Sequence, residues 1–68
     1  MDGHTTRIAR TVLEQIQSEY REMPGLALTA TQAARLVATP VRDALLALDR
    51  LVQAGFLRRS ELGLYLKA

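Results

Sequence analysis

The amino-acid sequence predicts a mostly α-helical domain that ends in a small β-hairpin, an α+β fold. Three observations predict it. Apolar residues recur at three- and four-residue steps through 6–23 and 39–55, the spacing of one helix face. Chemical start and stop signals bracket the helical stretches. After Gly55 the apolar period falls from 3.6 to 2, as in a strand.

Size and composition limit the function classes. Sixty-eight residues allow one domain with one small core, here 6–68, with 1–5 expected to fray. There is no cysteine, so neither a disulfide nor a thiolate metal site is expected. Hydrophobic content of 49% argues against disorder. No apolar run approaches the ~20 residues that span a bilayer, and MDGHTTRIAR is not a signal peptide. A soluble cytoplasmic protein with no membrane partner is the expectation. With one histidine, no cysteine and no glycine-rich phosphate loop, neither an enzyme nor a cofactor site is expected. His4, alone near the terminus, reads as solvated rather than as a metal ligand. Nine basic residues, eight of them arginine, face seven acids for a net charge of +2. That balance is compatible with nucleic acid without demanding it.

The first helix runs from Thr5 or Thr6 to about Met23, with Ile8, Val12, Leu13, Ile16, Tyr20 and Met23 forming its apolar stripe. Pro24-Gly25 stops it, because proline pushes the residue before it out of the helical region. Glu14, Glu19 and Glu22 form a solvated face with Arg10 and Arg21 at helical pairing distance, not a catalytic carboxylate cluster. Leu26-Ala27-Leu28 suits a short edge strand paired with a later hairpin. Thr29 and Gln32 have capping-box spacing and open a second helix over about 30–37.

A third helix follows after only a few residues, giving a helix-turn-helix. Thr39 is its expected N-cap, Pro40 its first helical residue and Gly55 its left-handed stop. Its core face is expected to hold Val41, Ala44, Leu45, Leu48, Leu51 and Val52. Arg42, Asp43, Leu46, Asp49, Arg50 and Gln53 face outward. Phe56–Arg59 and Leu64–Lys67 then flank Ser60-Glu61-Leu62-Gly63 as a hairpin, with Leu64 and Leu66 on one face and Tyr65 and Lys67 on the other.

The order helix, strand, helix, helix, hairpin resembles the winged helix-turn-helix. Leu28-Thr29-x-x-Gln32-Ala33-Ala34-Arg35-Leu36 looks like the second helix of many bacterial regulators. Leu48-Asp49-Arg50-Leu51-x-x-Ala54-Gly55-Phe56-Leu57 is similar to the recognition-helix end and first wing strand of IclR- and GntR-type DNA-binding domains. Gly63-x-Tyr65-x-Lys67 resembles the returning wing strand, and 22–29 looks like small stand-alone bacterial winged-helix proteins. The resemblance covers 6–68. It departs from the pattern at Val37-Ala38, where a glycine is usual in the turn, and in a longer stretch from Thr39 to Leu48.

The resemblance implies a transcriptional regulator that binds double-stranded DNA. In that reading the 39–55 helix enters the major groove, where Arg42 can bond guanine. Asp43, Leu46 and Arg50 share its presented face, and the helix start near Thr39 approaches a phosphate. Arg35, Arg58, Arg59 and Lys67, with Arg7 or Arg10, hold phosphates. Tyr65 either touches sugars beside Lys67 or packs on the core. The presented face is near neutral, because Asp43 and Asp49 balance Arg42 and Arg50. Leu46 at its centre suits thymine methyls, a protein partner or self-association, or is a singly exposed leucine without a role. A protein partner on this face is therefore the alternative function. A homodimer, if formed, is expected along 6–23.

Overall fold

The computed structural model of the chain describes residues 2–68, with side chains described from Arg10 onward. The elements are α1 (Asp2–Glu22), β1 (Ala27–Leu28), α2 (Ala30–Leu36), α3 (Val41–Gln53), β2 (Leu57–Arg59) and β3 (Tyr65–Lys67). The strands form one antiparallel sheet in the order β1-β3-β2. This is the winged-helix-like layout expected from the element order. Among the described residues no helix is long and apolar enough to cross a membrane.

α1 begins at Asp2, ahead of the expected start, because the apolar pattern that marks its packed part does not reach that far. His4, Arg7 and Ile8 lie outside the described side chains. Val12, Ile16 and Tyr20 are buried, one turn apart along the face that meets α3 and the sheet. Met23 is exposed: it follows the last helical residue and no longer shares that face. The chain then turns tightly, the Leu26 N–H donating to the Met23 carbonyl at 2.9 Å.

The capping box at the start of α2 is complete. The Gln32 N–H donates to Thr29 Oγ1 at 3.1 Å, and the Thr29 N–H donates to Gln32 Oε1 at 2.9 Å. Ala33 and Ala34 are buried on α2, Ala44 and Ala47 on α3. These small side chains let the helix backbones approach closely.

The turn between α2 and α3 is made without glycine. The Thr39 N–H donates to the Ala34 carbonyl at 2.9 Å and the Ala38 N–H to that of Arg35 at 3.3 Å. These are the two bonds of a Schellman motif, with Ala38 in its left-handed position at φ 53°. Thr39 is thus bound into the end of α2 and does not cap α3. Pro40 takes the N-cap position, its carbonyl accepting from Asp43 and Ala44 at 3.0 and 3.1 Å. The end of α3 repeats the motif with a glycine. The Phe56 N–H donates to Leu51 O at 2.9 Å, the Gly55 N–H to Val52 O at 3.0 Å, and Gly55 has φ 81°.

The buried arc of α3 is Ala44, Ala47, Leu48 and Leu51. It is shifted toward Ala47 relative to the expected face, so Val41 and Leu45 are 41% and 39% exposed rather than buried. An alanine reads weakly in an apolar pattern, yet here its small size is what admits the neighbouring helix.

Candidate nucleic-acid interface

The described structure presents basic side chains from every element after α1 except β1. Arg35 lies in the last turn of α2, Arg42 and Arg50 on α3, Arg58 and Arg59 on β2 and Lys67 on β3, all exposed. Residues 23–68 carry six basic side chains against three acidic, whereas 1–22 carry three against four. The small positive charge of the chain therefore belongs to the helix-turn-helix and hairpin, an asymmetry hidden in the total.

The outward midline of α3 follows from helix geometry. With Ala44, Ala47, Leu48 and Leu51 inward, Arg42, Asp49 and Gln53 point opposite, Leu45 and Leu46 flank them, and Arg50 lies further round. Arg42, Leu46 and Arg50 are accordingly exposed, Leu46 at 53%. Asp43 is half-buried at the rim. Thr39, also half-buried, lines an open groove with Thr31, Arg35, Pro40 and Val41 where α2 hands over to α3. Among the described residues no side chain caps α3 there, so the Val41 and Arg42 amides remain for solvent or an anion.

The hairpin divides its cations. Arg58 pairs across the ladder with Leu66, and Arg59 with Tyr65, so consecutive Arg58 and Arg59 side chains leave on opposite faces of the sheet. The Arg59 guanidinium lies 6.0 Å from the Tyr65 ring centre. Lys67 and Arg21 approach the Phe56 ring at 4.9 and 5.9 Å, exposed contacts each worth ~0.5–1 kcal/mol. Arg21, absent from the sequence-predicted set, thereby joins the cationic surface beside the hairpin.

Tyr65 is not part of this surface. It is buried, and its carbonyl accepts the Tyr20 hydroxyl proton at 2.6 Å. Of its two sequence readings the core one holds, because the sheet face that carries Leu57 and Tyr65 closes on α1 and α3. The hairpin tip is not basic either. It presents Glu61 and Leu62, the latter 85% exposed. Ser60 Oγ fixes the tip by accepting from the Leu62 and Leu64 amides at 3.3 and 3.1 Å.

Along α1 from Thr11 to Glu22, the exposed residues are Thr11, Glu14, Gln15, Ser18, Arg21 and Glu22, all polar. Among the described side chains, then, α1 offers no apolar stripe for the homodimer expected along 6–23. The exposed large apolar residues on the helix-turn-helix are instead Leu36, Val41, Leu45 and Leu46. Val41 and Leu45 were missed by sequence reasoning, and only the weight of Ala47 as a core residue could have revealed them.

Comparison with models of known families, with curated protein sequences and with solved structures finds no match.

Proposed function

We propose that this chain is a DNA-binding winged-helix protein that acts in transcription regulation, with α3 as its major-groove element. One observation carries the reading: the exposed arginines of α2, α3 and β2 lie on the elements that this fold would turn toward a duplex, while the acids concentrate on α1. Arg42 on the α3 midline is the base-reading candidate, since its fork can bond guanine O6 and N7 together. Arg35, Arg50 and Arg58 supply phosphate contacts, and Arg59 and Lys67, which share the Tyr65 face of the sheet, reach a phosphate only from its exposed rim. The uncapped start of α3 and the groove at Thr39 suit a further phosphate. With its acidic tip, the hairpin would grip the backbone from its strands rather than insert its turn into the minor groove. The activity is binding, not catalysis, in the cytoplasm.

The exposure of Leu45 and Leu46 between Asp49 and Arg42 favours a second reading, a protein partner on the same helix face. Charge reversal separates the two. In a fluorescence-anisotropy titration with duplex DNA, Arg35→Glu with Arg58→Glu abolishes binding if DNA is the ligand. A partner docked on Leu46 tolerates both changes. Unchanged DNA affinity in the doubly reversed protein would overturn the assignment of phosphate contacts.

A further inference from the structure

The outward face of α3 is complementary to itself. Arg42 and Asp49 are seven residues apart, which places both on the midline about 10 Å from each other. That separation is too long for a pair within one helix. Neither side chain has a partner among the described residues. Between them in height, on either side of the midline, stand Leu45 and Leu46, 39% and 53% exposed. We propose that α3 is a self-association surface on which two copies pair antiparallel, Arg42 of each protomer meeting Asp49 of its partner around a centre of four leucines.

The charge order selects this arrangement over others. Parallel pairing would set Arg42 on Arg42 and Asp49 on Asp49, like charges that destabilise. Antiparallel pairing converts both contacts into opposite-charge pairs and aligns the two helix dipoles favourably. It is also the isologous geometry in which each residue contacts its counterpart's partner. At the rim, Asp43 and Arg50 repeat the pattern, since the same two-fold axis brings Asp43 of one protomer beside Arg50 of the other. Leu46 lies near the middle of Val41–Gln53, so the pairing keeps the helix in contact over most of its length of about 20 Å. One helix face on each side falls at the small end of specific interfaces, which makes the dimer weak and reversible.

Self-association does not depend on the DNA reading, and its test uses no DNA. If α3 also reads DNA, the two uses exclude one another, and duplex DNA dissociates the dimer. Sedimentation velocity from about 10 µM to about 1 mM protein covers the range of weak interfaces. Over that range the average mass should climb from 7.5 kDa toward twice that value. Arg42→Asp and Asp49→Arg should each weaken association about tenfold, because symmetry counts every reversal twice. An equimolar mixture of the two variants should recover it, as should the double variant R42D/D49R. Both sites are exposed, and circular dichroism is the check that each variant folds; Leu46→Arg serves as a second disruptor. A wild-type mass fixed at 7.5 kDa, association that persists in the folded single variants, or a mixture that fails to recover it would each overturn the proposal.

Discussion

The Tyr20 hydroxyl donates to the Tyr65 carbonyl at 2.6 Å, joining α1 to β3 across a sequence separation of 45. Both side chains are buried, and Tyr20 is fully so. A buried phenol needs a partner for its O–H, and a strand carbonyl supplies it. The bond fixes how the hairpin sits on α1 and therefore where Arg58, Arg59 and Lys67 are held.

Tyr20→Phe should cost about 1–2 kcal/mol, the net value of one hydrogen bond plus part of the desolvation of the carbonyl left behind. Chemical denaturation read by far-UV circular dichroism measures it. An unchanged midpoint would mean that the bond is not formed in solution.

The same hydroxyl makes stability pH-dependent. Burial pushes Tyr20 up to about 12 from an ordinary 10.0, against a smaller opposing pull from the Leu28 backbone. The folded state therefore holds its proton where the unfolded chain has released it. The stabilisation is fully present below pH 10.0 and is lost as pH rises toward about 12. Over that window the wild type should lose stability more steeply than Tyr20→Phe; parallel slopes would contradict the assignment.

Ala38 holds a left-handed conformation at φ 53° that costs an L-residue ~1–2 kcal/mol. Ala38→Gly should stabilise the domain by about 0.5–1 kcal/mol after the extra freedom of glycine in the unfolded chain is subtracted. The melting temperature should then rise by several degrees. At the matching position after α3, Gly55→Ala should destabilise by about 1 kcal/mol. The cost there is conformational only, because a Cβ at Gly55 would meet nothing within 4 Å. Opposite signs at the two sites in thermal melts are the expected result.

Thr29→Ala should cost about 1 kcal/mol by removing the cap of α2. Because α2 is only seven residues long, the loss should appear as faster amide exchange in α2 before the rest of the domain. Uniform exchange along the chain would instead place α2 in the global unfolding unit.

Much of this architecture was legible in the residues themselves. The Thr29–Gln32 box, the stop at Gly55 and the change of period after it are local signals, and each is found where the sequence puts it. What escaped was set by packing between elements. Thr39 reads as an N-cap, yet its amide closes the turn after α2, so Pro40 opens α3 instead. Ala47 is too small to stand out in an apolar pattern, so the α3 face reads as rotated, with Val41 and Leu45 inside, whereas both are exposed. Tyr65 shares a strand face with Lys67, and period alone cannot say which side of a two-sided sheet meets the core. The exposed arginines Arg35, Arg42, Arg50 and Arg58 could be listed from sequence. That Arg58 and Arg59 leave on opposite faces follows from the strand period, but which of them shares the face of Tyr65 becomes visible only once the strands are paired.

The most direct test of the DNA reading is an anisotropy titration of random duplex DNA at several salt concentrations. With about five phosphate contacts, log affinity should fall with log salt at a slope of about −4 to −5. No binding at low salt with tens of micromolar protein, or a slope near zero, would contradict the account and leave the α3 face to a protein.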